Sequence, residues 1–268
     1  MDIVVLSSIL GIGSLGLFFG ASLAYASKKF AVEVDPKIEQ ILEELPGANC
    51  GACGYPGCSG YAEAIVKSGV DINLCTPGGI AVTEKVAGIM GVEAGEAGER
   101  KVAVVQCRGD NEIAPKRFNY QGITDCHAAQ LIMGGDKACV YGCLGLGTCV
   151  ESCPFGAMYM DDNGLPVVIE DKCTACGMCV SACPRNIMAL IPMSQKTFLG
   201  CVSQDKGKSV KQVCKVGCIG CKLCANPKTT PSGSIEMKGN LPVILNISAD
   251  DLPKAVEKCP TKTFVVRN

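Results

Sequence analysis

Twenty cysteines stand in a chain of 268 residues, and most fall in tight groups with two to four residues between neighbours, several of them Cys-x2-Cys, so the chain must be organised by what binds sulfur. A disulfide framework suits short secreted chains rather than one of this length and spacing. Structural zinc normally recruits histidine, and His127 is the single histidine present. Thiolate-only ligation of [4Fe–4S] clusters is the chemistry that remains. The net charge of −1 and the absence of tryptophan leave no broad basic or stacking surface for nucleic acid.

Two runs follow ferredoxin spacing. Cys173-x2-Cys176-x2-Cys179-x3-Cys183-Pro184 is the bacterial pattern, in which three cysteines bind one cubane and the one before proline reaches the neighbouring cluster. Upstream, Cys143, Cys149 and Cys153-Pro154 keep the same frame with Leu146 in the second ligand position. The crossed pattern assigns Cys153, Cys173, Cys176 and Cys179 to one cluster and leaves Cys143, Cys149 and Cys183 in need of a fourth thiolate.

A second unit begins at Cys218-x2-Cys221-x2-Cys224, has Lys228 where the fourth cysteine belongs, and regains Cys259-Pro260 downstream. Cys218, Cys221, Cys224 and Cys259 thus make one retained cluster. Strands over 234–237 and 243–247 are expected as the hairpin between the half-motifs.

The units repeat at an offset of 75 residues, Cys126-x12-Cys139-x3-Cys143 returning as Cys201-x12-Cys214-x3-Cys218. Two arrangements place every cysteine. Cys107 fills the vacancy at Leu146, leaving Cys126, Cys139, Cys201 and Cys214 as a set joining the repeats; or Cys139 fills it, leaving Cys107, Cys126, Cys201 and Cys214. The plainer alternative keeps some of these five as free buried thiols. The expectation is therefore at least three clusters and as many as five.

A further set precedes these units. Cys50-x2-Cys53-x4-Cys58-x16-Cys75 completes four thiolates, with glycines that let backbone N–H groups approach sulfur. A short amphipathic helix over 37–45, opened by Asp35 and Pro36, leads into it, and a helix over 60–69 carries the chain back to Cys75. Residues 84–100, rich in Gly, Ala and Glu, read as a linker behind a short helix, and 101–106 as a buried strand.

From Ile3 to Ala26 no residue is charged, which suffices for a helix across roughly 30 Å of hydrocarbon. A secretory signal is the alternative suggested by Ala24-Tyr25-Ala26, but Met1-Asp2 is not a basic leader and the run is long. Asp2 before the span and Lys28-Lys29 after it place the rest in the cytoplasm, where thiols stay reduced. Gly16, Gly20 and Ala24, spaced four apart, offer a close-packing stripe for another membrane helix.

The expected architecture is α+β: an N-terminal transmembrane helix (1–28), a small helical [4Fe–4S] domain (33–92), and two tandem bacterial-ferredoxin-like units (100–195 and 196–268). Lys206, Lys208, Lys211, Lys215, Lys222 and Lys228 against Asp205 give residues 201–228 a charge of +5, a docking face for an acidic redox partner. No dinucleotide fingerprint or acid–base constellation is present. Gly145-Leu146-Gly147 is explained by wrapping between ligands, and His127 reads as structural.

The apolar span, the run Leu-Pro-Gly-Ala-Asn-Cys-Gly-Ala-Cys-Gly-Tyr-Pro-Gly-Cys at residues 45–58 and the ferredoxin motifs after Gly142-Cys143-Leu144-Gly145 resemble the RnfB family, the B subunits of Rnf complexes. The resemblance implies an ion-translocating ferredoxin:NAD+ oxidoreductase, in which a chain of this family takes electrons from reduced soluble ferredoxin and passes them to membrane and peripheral partners. Ion movement and the NAD+ site would lie on those partners. A cluster-based redox or iron sensor and a structural cluster scaffold are the alternatives; rapid reduction by ferredoxin separates a conductor from both.

Overall fold

The computed structural model describes residues 3–30, 35–95 and 99–267. Asp2, used above for orientation, lies outside them, as do residues 31–34 with the expected domain start, and 96–98 of the expected linker. Helix α1 (Ile3–Lys29) contains the one stretch among the described residues long and apolar enough to cross a membrane, Ile9–Lys29, none of it buried within the chain. Its basic end, Lys28-Lys29, opposes the carbonyl end of the helix dipole.

Three helices make a compact layer after it. Helix α2 (Pro36–Glu44) starts where Asp35 accepts the Lys37 N–H at 2.9 Å. Its Ile38 and Ile41 meet Tyr61, Ala62 and Ile65 of α3 (Gly57–Ser68) and Val86 of α4 (Gly79–Met90) in one core. The linker expected from residue 84 begins later, because α4 continues to Gly91, whose φ of +71° ends it in a left-handed cap. Composition alone suggests a loop there, but Val86 is buried in the core with α2 and α3, and Ala87 is buried next to it, which holds the turn helical.

The remainder is one arrangement used twice. Strand β1 (Lys101–Val105) precedes α5 (Cys126–Leu131), α6 (Thr148–Glu151), the hairpin β2 (Met158–Met160) and β3 (Pro166–Val168), α7 (Met178–Ser181) and β4 (Met188–Pro192). β4 returns antiparallel to β1, with Lys101 opposite Pro192 and Val105 opposite Met188. The second copy runs through β5 (Thr197–Leu199), α8 (Gly207–Val213), the hairpin β6 (Ile235–Lys238) and β7 (Leu241–Ile244), α9 (Leu252–Glu257) and β8 (Phe264–Val266). There β8 closes on β5, with Leu199 opposite Phe264. The expected hairpin strands appear within one to three residues of their predicted ends.

Each copy has its own core. In the first, Val102, Ala103 and Val104 pack with Met158, Met188 and Ile191; in the second, Leu199 and Phe264 pack with Ile235, Leu252 and Ala255. Phe198 crosses between them and buries itself in the first core. Arg108 also donates to the Lys262 carbonyl of the second copy, so the two copies form a continuous body.

Candidate cluster sites

Local geometry delivers the cysteines. Gly147 and Gly177 sit at φ +79° and +77° immediately before α6 and α7, a left-handed entry that bends the chain and starts the short helices bearing Cys149 and Cys179. Cys153-Pro154 and Cys183-Pro184 follow those helices. At the N-terminal set, Asn49 Oδ1 accepts the Cys58 N–H at 2.8 Å. The Tyr61 hydroxyl donates to the Asp71 carbonyl at 2.8 Å and accepts the Leu74 N–H at 3.1 Å, which fixes the loop leading to Cys75.

Four cavities are each lined by four cysteines. Cys153, Cys173, Cys176 and Cys179 line one of about 320 Å3. Cys126, Cys143, Cys149 and Cys183 line another of about 340 Å3. Cys107, Cys139, Cys201 and Cys214 line a third, between the two copies, of about 380 Å3. Cys218, Cys221, Cys224 and Cys259 line the fourth, about 340 Å3. The near equality of volume matters, because the cavity between the copies matches the regular ones in size and sulfur number. The fifth set groups Cys75 with Cys50, Cys53 and Cys58, whose sulfurs act electrostatically on it.

Neither arrangement of the five surplus cysteines expected above agrees with this geometry. Cys126, not Cys107 or Cys139, joins Cys143, Cys149 and Cys183 at the position left open by Leu146. Cys107 takes the place thereby vacated beside Cys139, Cys201 and Cys214. The cause is local: Asp125 caps α5, Thr148 donates to Asp125 Oδ2 at 3.1 Å, and Thr148 Oγ1 accepts the Cys126 N–H at 2.7 Å. These bonds hold the start of α5 against the start of α6, which bears Cys149. Repeat symmetry fails here because Cys201, the counterpart of Cys126, has no vacancy to fill: Cys221 occupies the position of Leu146 in its own unit.

The residues present fit iron–sulfur clusters. Among the described residues no three His, Cys, Asp or Glu side chains converge tightly enough for a single metal ion, whereas a cubane spaces its four thiolates around a larger body. Backbone N–H groups point at sulfur from Ala103 to Cys173, Ala157 to Cys153 and Thr263 to Cys259, each at 3.4 Å, and from Cys143 to Cys107 and Ser203 to Cys201, each at 3.5 Å. Such bonds stabilise the charge gained on reduction. The buried Nε of Arg185 has no hydrogen-bond partner, and Arg185 lines the cavity holding Cys126. Likewise the buried Thr174 Oγ1 lacks a partner of standard geometry and belongs to the cavity of Cys176.

Burial dominates the thiol chemistry. It pushes Cys143 and Cys179 up to about 12, and Cys149, Cys201 and Cys224 up to about 11. Without iron these are neutral thiols at pH 7, so ligation releases protons. Cys259 goes the other way: burial raises it, but hydrogen bonds from Thr263 and Thr261 together outweigh burial and lower it. Burial also pulls the Lys137 ammonium down, opposed by the sulfurs of Cys107 and Cys143.

Lys206, Lys208, Lys211, Lys215, Lys222 and Lys228 are all exposed, and none forms an ion pair among the described residues. Cys221 is the one exposed cysteine, next to Lys222. His127 Nε2 bonds the Ala182 carbonyl at 3.1 Å, a backbone tie and not a sulfur contact.

An N-terminal helix long and apolar enough to cross a membrane, followed by cysteine-lined cavities of one size, defines an iron–sulfur electron-transfer protein. Residues 45–77 match the family described as "Putative Fe-S cluster", and residues 136–188 match the 4Fe-4S dicluster domain family. Over its whole length the chain is 40% identical to the B subunit of the ion-translocating oxidoreductase complex of Methanosarcina acetivorans, which it covers completely. It is 48% identical to the B subunit of the proton-translocating ferredoxin:NAD(+) oxidoreductase complex of Clostridium ljungdahlii, over 92% of this chain and 87% of that one. It is 47% identical to the B subunit of the Na(+)-translocating ferredoxin:NAD(+) oxidoreductase complex of Acetobacterium woodii, over 77% of this chain and 62% of that one. The chain belongs to the family of B subunits of ion-translocating oxidoreductase complexes. The last two relatives differ in the ion they are named for, so similarity at this level assigns no ion here.

Proposed function

We propose that this chain carries electrons one at a time from reduced ferredoxin to membrane partners of a ferredoxin:NAD+ oxidoreductase complex, through five [4Fe–4S] clusters in a fixed order. When bound, each cluster supplies a site that accepts and donates a single electron. The single observation that carries the reading is the set of four similarly sized cavities with four cysteines apiece.

The order follows from which sulfurs are neighbours. Cys218 acts on Cys201, linking the exposed C-terminal set to the set between the copies. Cys107 accepts the Cys143 N–H, linking that set to the Cys126 set. Cys149 acts on Cys179, linking the Cys126 set to the Cys173 set. Cys50 and Cys176 line one open cavity, which brings the N-terminal set next in line and nearest the membrane helix in sequence.

The exposed lysines of residues 206–228, with Lys222 beside the exposed Cys221, suit the approach of an acidic carrier such as soluble ferredoxin, so electrons enter there. Lys28 and Lys29 at the end of α1 support a single pass with the soluble body on the cytoplasmic side. The tandem units read as two ferredoxin-like folds, the first with both cluster positions and the second with one.

Rapid mixing of the anaerobically purified chain with reduced ferredoxin tests this. Bleaching of cluster absorbance on the turnover timescale is the expected result; absence of reduction by ferredoxin would return the chain to a sensor or scaffold role.

A further inference from the structure

Lys137 is 1% exposed, the one lysine buried to that degree among the described residues. Its Nζ donates to the carbonyl oxygens of Asp110 at 2.8 Å, Ala114 at 3.3 Å and Gly109 at 3.4 Å, and to Asn111 Oδ1 at 3.2 Å. Acceptors on this many sides call for all three ammonium protons, and none of them is a carboxylate. The adjacent carboxylate, Asp136, is taken by Lys116 at 2.9 Å. A buried cation held only by neutral oxygens is costly unless negative charge lies close by.

The negative groups that act on it most, ahead of Asp136, are cluster ligands. Gly109 and Ala114, whose carbonyls hold the ammonium, line the cavity of Cys107, Cys139, Cys201 and Cys214. Cys107 and Cys143 are the sulfurs that act on Lys137, and they belong to different cavities joined by the Cys143 N–H to Cys107 bond. Arg108 lines the first cavity and Arg185 the second. Lys137 stands against ligands of both, and so does Arg185, on which Cys139, Cys143 and Cys183 act; of the two, Lys137 is the buried one.

We infer that Lys137 is a redox-tuning residue: a fixed positive charge between the two central clusters that raises both reduction potentials, so that an electron inside the chain rests there before moving on. The inference depends on the cluster reading above. The physical basis is that each cluster gains a negative charge on reduction, and a positive charge in a low-dielectric interior favours the reduced state of whatever lies beside it. Lys137 touches no substrate and ligates nothing; it acts through the clusters.

The test is an EPR-monitored redox titration of the full-length, anaerobically purified chain, comparing wild type with Lys137→Met and Lys137→Gln. The central signals are identified as those lost in Cys126→Ser and Cys214→Ser. Both neutral variants are expected to keep their iron and to lower the midpoint potentials of both central signals, leaving that of the Cys218 set in place. Unmoved central potentials at full iron content would overturn the role of Lys137 alone. Loss of iron in both variants would assign the residue to folding and also overturn it. Absence of the two central signals in the wild type would instead overturn the cluster reading, and this inference with it.

Discussion

Arg267 and Glu170 face each other in a two-bonded ion pair, Nε to Oε1 at 2.6 Å and Nη2 to Oε2 at 2.5 Å, closing the C-terminal strand of the second copy onto the turn before Cys173 in the first. Arg267 is buried and also donates to the Gln195 carbonyl at 3.1 Å. The Arg267 guanidinium, chiefly by hydrogen bonding, holds the Glu170 carboxyl below its usual range. A lowered carboxylate stabilises the fold above its unfolded pKa and loses that contribution as the pH falls through the folded value.

Glu170→Gln is therefore expected to cost about 1–2 kcal/mol at neutral pH, a modest figure because the carboxylate is a third exposed. The midpoint of urea-induced loss of cluster absorbance would shift down at pH 7. On acidification the difference from wild type should begin to shrink at about pH 4, near the unfolded value, and vanish once the pH falls below the lowered folded value.

Cys126 and Leu146 should be interchangeable in role. Leu146 packs against the small cluster of Cys126, Ala129 and Leu144, so a thiol at position 146 starts near the same cavity. Cys126→Ser should lose about four irons. Adding Leu146→Cys to that variant, which restores the regular spacing, should recover them. Failure of the second change to restore iron would place the fourth ligand elsewhere.

Thr148→Val removes the acceptor for the Cys126 N–H and the donor to Asp125. The loss of the cap support is expected to cost about 1 kcal/mol. Its specific mark should be faster loss of iron from the Cys126 set under a chelator, with the Cys218 set unaffected.

Electron entry should depend on salt. If the exposed lysines of residues 206–228 steer the carrier, raising ionic strength slows reduction by ferredoxin, and Lys208→Glu with Lys211→Glu slows it about tenfold at low salt. A rate indifferent to salt and to both substitutions would remove this face as the docking surface.

The regular motifs are legible because their ligands are near neighbours in sequence: Cys173, Cys176 and Cys179 reach one cavity by wrapping a few residues, and Cys183-Pro184 leads away after one short helix. The hairpins and the α2 cap are readable for the same local reason. The surplus cysteines are not, since spacing alone cannot distinguish Cys107, Cys126 and Cys139 as the ligand beside Leu146. That choice is made by the Asp125–Thr148 bonds and by the way β1 carries Cys107 towards the second copy. The repeat at 75 residues points to a set between the copies, and cysteines of both copies line one cavity there, yet strict symmetry would put Cys126 in it. Lys137 is invisible for another reason: its burial comes from Gly109, Asp110, Asn111 and Ala114 closing around it, contacts that no periodicity announces.

The claim on which the rest depends is the cluster between the copies, and iron and sulfide analysis tests it directly. The anaerobically purified wild-type chain should hold about twenty irons, and Cys139→Ser/Cys214→Ser, which removes one thiolate from each copy, about sixteen. An iron content unchanged by that double substitution would contradict the account.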